Sequence, residues 1–88
     1  MTVPILITPV LRPFTENQKS VKVEGNTVRD CLQRLVARYP QTKKWIFANP
    51  DAPLVCVFLN KEAVLPDNLD NKVNEGDVID LSLVVAGG

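Results

Sequence analysis

The spacing of hydrophobic and polar positions changes period several times along the chain, and each change marks an element. Residues 3–11 alternate imperfectly, with Val3, Ile5 and Ile7 on one face, which predicts a first strand. Pro4 cannot donate to a ladder, so it belongs at the strand's beginning or where no donor is required. The stretch from Arg12 to Lys19 is polar and turn-rich, and Ser20-Val21-Lys22-Val23-Glu24 alternates again. Two strands joined by that long loop predict a hairpin. Gly25-Asn26 then breaks the pattern, and the period becomes helical. Val28, Cys31, Leu32, Leu35, Val36 and Tyr39 share one face, with Thr27 placed to cap the helix and Asp30 in its first turn. Pro40 ends it, because the residue before a proline is pushed out of the α region.

Beyond the helix, Trp45, Ile46 and Phe47 predict a short helix or turn, with the tryptophan capping a core. Asn49-Pro50-Asp51-Ala52-Pro53 reads as loop. Leu54 to Leu59 is a β-rich run bounded by breakers, hence a buried strand. Asn60-Lys61 turns the chain into a short strand, Glu62 to Leu65, which Pro66 closes. A mostly polar stretch follows, and Asn74-Glu75-Gly76-Asp77 makes a tight acidic turn. The spacing of Asp67, Asp70, Glu75 and Asp77 matches no calcium loop, so a solvated turn is expected there rather than a metal site. The last strand, Val78 to Val85, points Ile79, Leu81, Leu83 and Val85 one way and Asp80 and Ser82 the other. Strand, strand, helix, strand, short strand, strand is the order of an α+β fold with one helix packed on one face of a sheet.

At 88 residues the chain is a single small domain, expected to span residues 1–85 with 86–88 as a tail. Ten basic residues balance ten acidic ones, which gives no general attraction to nucleic acid. The apolar N-terminus has no leading Lys or Arg, and no run approaches the ~20 apolar residues that cross a bilayer. A cytoplasmic protein with no membrane partner is expected. Cys31 and Cys56 each sit in an apolar run and read as small buried hydrophobes. Histidine is absent, which excludes Ser-His and Cys-His catalysis and removes the commonest metal ligand. A self-contained enzyme is not expected.

The chain finishes Val85-Ala86-Gly87-Gly88. Two residues without Cβ atoms can thread a slot that any larger residue would block and present a carboxylate there. A helix crossing a mixed sheet of four to five strands, Glu75-Gly76-Asp77-Val78 leading into the last strand, and that Gly-Gly ending resemble the ubiquitin-like β-grasp sulfur carriers of the MoaD/ThiS family. Leu11-Arg12-Pro13-Phe14-Thr15 with Gln18-Lys19-Ser20-Val21 is similar to the carriers of a thiocarboxylate-dependent cysteine-synthesis pathway, although turn chemistry alone accounts for it equally well.

The resemblance implies a carrier rather than an enzyme. A ubiquitin-activating-type partner would use ATP and Mg²⁺ to adenylate the Gly88 carboxylate, and a sulfur source would displace AMP to leave a thiocarboxylate. Val85, Ala86 and Gly87 would thread into the partner's active site. A sulfur-accepting biosynthetic enzyme would take the sulfur, with a pyridoxal-phosphate cysteine synthase favoured by the hairpin and molybdopterin or thiamin synthesis as alternatives. The carrier itself would hold no cofactor and no metal. Two further classes share these features: a protein modifier conjugated through Gly88, and a passive subunit whose tail plugs an active site. Arg12, Pro13 and Phe58 are candidates for the partner surface. Phe58 and Cys56 lie opposite Val55, Val57 and Leu59, and the sequence leaves open which set is exposed.

Overall fold

The computed structural model of the protein describes residues 1–47 and 55–83. Its strands are β1 (Thr2–Leu6), β2 (Ser20–Glu24), β3 (Val55–Leu59), β4 (Glu62–Val64) and β5 (Ile79–Leu83); its helices are α1 (Val28–Arg38) and α2 (Lys43–Ile46). They form one five-stranded sheet in the order β2-β1-β5-β3-β4. The β1–β5 pair is parallel and the others antiparallel, so the sheet is mixed, as expected for a β-grasp fold. The β1–β5 ladder registers Ile5 with Ile79 and Leu6 with Asp80, which leaves Pro4 outside it.

The alternation sorts side chains as the pleat requires. Val3, Ile5, Val21, Val23, Val55, Ile79 and Leu81 are buried on one face, under α1. The helix contributes Val28, Cys31, Leu32 and Leu35, all fully buried, with Tyr39 closing the face. Thr27 caps it: its Oγ1 accepts from the Asp30 N–H at 3.1 Å. Two further N–H groups of the first turn, those of Val28 and Arg29, donate to the carbonyls of Asn71 and Leu69 at 3.0 and 2.7 Å. Arg29 also pairs with Asp70 at 2.8 Å, so the segment before β5 is fastened across the start of α1.

The structure corrects three expectations. The first strand ends at Leu6, and the first hairpin is not simply a polar loop. Pro9–Phe14 winds into a 3-10 helix that buries Leu11 completely, with Thr15 buried behind it. Pro9 at its start and Pro13 inside it preset two of the φ angles of this short turn. Phe14 then meets Trp45 of α2 with ring centroids 6.2 Å apart, so the tryptophan packs against the partly buried edge of the core. Cys56 is half-buried, on the sheet face away from α1, whereas Cys31 is buried as expected. Both thiols are free. Burial pushes the Cys31 thiol pKa up, with Asp30 adding to it, which keeps it protonated and inert. Residues 48–54 and the end of the last predicted strand, Val84 and Val85, lie outside the described residues.

Candidate functional site

β5 lies between β1 and β3 at the centre of the sheet, and it is the strand that leads to the C-terminal segment. Three features hold its start. Gly76 adopts φ +89° in the turn before it, a conformation that L side chains rarely take. Asp77 accepts from the Asn74 N–H at 2.7 Å and from the Asn60 Nδ2–H at 2.9 Å. The Asn60 Oδ1 in turn accepts from the Val78 N–H at 3.0 Å. The acidic turn is thus tied to the two-residue β3–β4 turn, where Asn60 and Lys61 both have positive φ. These bonds hold the Asp77 carboxyl below its ordinary pKa, the Asn60 amide first and the Asn74 backbone second. Asp77 is therefore a clamp for β5, and no cluster of metal-ligating side chains occurs among the described residues.

Among the described residues no helix covers the sheet face opposite α1. Phe58 is half-buried there, and its cross-strand partners are Asp80 on β5 and Ala63 on β4. Asp80 pairs on its other side with Leu6, which is 38% exposed. Cys56 and Ser82 form the adjoining pair. This answers the question left open by β3: Val55, Val57 and Leu59 pack toward the core, and Cys56 with Phe58 faces outward. The row from Leu6 to Ala63 on the open face is therefore a mostly apolar strip with one carboxylate in it, while β2 adds Ser20, Lys22 and Glu24 at the far edge.

The other predicted site residues fall elsewhere. Arg12 lies in the 3-10 turn, half-buried, where its Nε–H donates to the Ile7 carbonyl at 3.2 Å. Its own carbonyl accepts from the N–H groups of Thr15 and Asn17 at 3.1 and 2.7 Å, so the residue organises the turn. Pro13, beside it, is exposed. Val85, Ala86, Gly87 and Gly88 lie outside the described residues. Leu6 and Asp80 were not singled out from sequence. Their signal was the outward phase of each strand, which acquires meaning only once β1, β5 and β3 are known to be neighbours. An apolar hollow of about 390 Å³ on the helix side is lined by Leu32, Ile46, Phe47, Val55, Val64 and Leu69 among others, and among the described residues Arg29 and Asp67 are its charged lining groups. It presents no paired acid and base.

Comparison with known proteins gives this arrangement its context. The model of the ThiS family matches residues 5–88. The sulfur carrier protein CysO of Mycobacterium tuberculosis is 31% identical over 94 residues, covering the whole of both chains. Among solved structures, the Amycolatopsis orientalis BexX/CysO complex contains a chain that superposes with a TM-score of 0.82 at 26% identity, covering 98% of this chain and 99% of that one. The M. tuberculosis CysO crystal structure gives a TM-score of 0.81 at 28% identity, with coverage of 94% and 99%. The match reaches through the last two glycines, and the superposition takes in nearly every element. The chain belongs to the ThiS family and is a sulfur carrier of the ThiS/MoaD/CysO type.

Proposed function

We propose that the chain carries sulfur as a thiocarboxylate on Gly88 and donates it to cysteine biosynthesis. The observation that supports this most directly is the family match, which runs through Gly87 and Gly88 in a chain similar over its whole length to a protein named as a sulfur carrier. The hairpin from Leu11 to Val21 adds the cysteine-pathway resemblance.

The chemistry divides cleanly between carrier and partners. A carboxylate is a poor acyl donor because its leaving group would be oxide. In the proposed sequence the Gly88 carboxylate attacks the α-phosphorus of ATP on an adenylating partner, with Mg²⁺ held by that partner, and pyrophosphate leaves. Sulfide sulfur then attacks the acyl carbon, AMP departs, and the thiocarboxylate remains. In the recipient, a pyridoxal-phosphate synthase would join that sulfur to the β-carbon of an activated serine as its activating group leaves, and hydrolysis of the acyl link between Gly88 and the new cysteine would release cysteine and restore the Gly88 carboxylate. The carrier contributes a rigid head and a slender tail. Its β5 is anchored on both sides by β1 and β3, so the head is a fixed base for whatever extends beyond Leu83. The open face around Phe58 is the proposed docking surface, with Arg12 and Pro13 as a second, local candidate.

The test is intact mass spectrometry after incubation with ATP, a sulfide donor and the adenylating enzyme of the same host. The expected gain is that of one sulfur replacing one oxygen, absent when Gly88 is deleted. Supplying the recipient synthase and activated serine should convert the thiocarboxylate to a cysteinyl adduct, heavier by the serine-derived three-carbon unit, with the activating group of serine released. An unchanged mass with an enzyme active on another carrier would point to a passive binding module instead. Conjugates leaving Gly-Gly on lysines would point to a modifier.

A further inference from the structure

Asp80 occupies an unusual position for a carboxylate. The register aligns Leu6, Asp80, Phe58 and Ala63 across four adjacent strands, β1, β5, β3 and β4, on the open face. Directly opposed side chains on neighbouring strands lie within contact reach, so an aliphatic and an aromatic group flank the carboxylate on its two sides. Asp80 is half-buried, and the ion pairs among the described residues are Met1–Glu24 and Arg29–Asp70, neither of which involves it. The cation that the described strands place on the same face is Lys22 of β2, which pairs with Pro4 and lies two strands from Asp80. Residues 1–49 carry eight Lys and Arg against three Asp and Glu, whereas residues 50–88, which supply β3, β4 and β5, carry two against seven.

While the face is wet, the arrangement costs nothing, because water solvates the carboxylate. A partner that covers Phe58 and Leu6 must cover Asp80 as well, since it lies between them. Removing an ionised carboxylate from water without a partner is strongly unfavourable, and pairing it with a well-placed cation offsets that cost. An apolar docking surface alone would therefore be rejected. We propose that Asp80 is the specificity-determining residue of the open face, selecting an adenylating partner that presents an arginine or lysine ringed by apolar side chains. This inference rests on the carrier reading above, and the adenylating enzyme is the partner that every version of Gly88 activation requires. The acidic excess of residues 50–88, which supply β3, β4 and β5, favours a basic partner surface over that part of the face at longer range.

The experiment is ATP–pyrophosphate exchange by the host's adenylating enzyme, with wild-type carrier, Asp80→Asn and Asp80→Lys, at low and high NaCl. Asp80→Asn should raise KM for the carrier by about tenfold with kcat within about twofold, and Asp80→Lys should raise it further. The dependence of KM on salt should be shallower for Asp80→Asn than for wild type. Thermal midpoints of the variants show whether the fold is intact; asparagine is isosteric and the site is part-exposed, so midpoints close to wild type are expected. A KM for Asp80→Asn within about twofold of wild type, with parallel salt dependence, would overturn the inference and leave the carrier reading standing. Exchange that is absent with wild type, or indifferent to deletion of Gly88, would overturn both.

Discussion

The two faces of this sheet are made by the same strands and built for different ends. On β5, Ile79 and Leu81 point to α1 and are excluded from water, while Asp80 and Ser82 point away and are half-exposed. On β3, Val55 is buried on one side and Phe58 half-buried on the other. The covered face consists of aliphatic side chains meeting Leu32 and Leu35 of α1, where each buried group adds to stability. The open face keeps a phenylalanine, a leucine and a carboxylate in partial contact with water, where they add less to stability and remain available for contact. The proposed carrier function gives that division a reason, because a chain acted on by other proteins needs a surface that survives unpaired.

Substitutions on the two faces should separate stability from recognition. Leu35→Ala removes a fully buried side chain and should cost roughly 2–5 kcal/mol, measured by urea denaturation. A cost within the error of the curve would show that the helix face is not the core. Phe58→Ala should cost about 1 kcal/mol by the same measurement, since its ring is only half-buried, yet should weaken activation by the adenylating enzyme. Equal losses of stability for the two variants would erase the distinction between faces.

The smallest expected effect concerns acid. Asp77 has a depressed carboxyl pKa in the folded state, so its contribution is complete above its unfolded pKa of about 3.9 and is lost as pH falls through the folded value. The thermal midpoint of the wild type should therefore drop on acidification below about pH 4, and Asp77→Asn should flatten part of that drop. Parallel acid profiles would mean that the clamp between Asn60 and Asp77 contributes no pH dependence.

Local periodicity made much of this fold readable. β2 occupies the alternating run Ser20 to Glu24, and α1 starts after Thr27 and ends before Pro40, because those signals act within a few residues of one another. The 3-10 turn at Pro9–Phe14 was not readable, since its helical winding depends on Leu11 and Thr15 finding a core built by distant segments. The bond from Asn60 to Asp77 spans seventeen residues and has no local signature. Asp80 shows the limit most clearly. Its outward phase followed from alternation, whereas its setting between Leu6 and Phe58 required the pairing of strands that are far apart in the chain.

The central place of β5 also sets when the molecule can first exist. Synthesis delivers β1 early and β5 last among the described elements, yet β5 is the strand that joins β1 to β3. Until Ile79–Leu83 has emerged, the strand that joins the β1–β2 pair to the β3–β4 pair is missing. Pairing across so long a sequence separation carries a large loop-closure entropy, which favours its late formation. The row that runs from Leu6 to Phe58 through Asp80 is complete only when that step is done. A protein that docked on the whole row, as proposed, would therefore meet finished chains and pass over partial ones, so recognition would double as an inspection of synthesis.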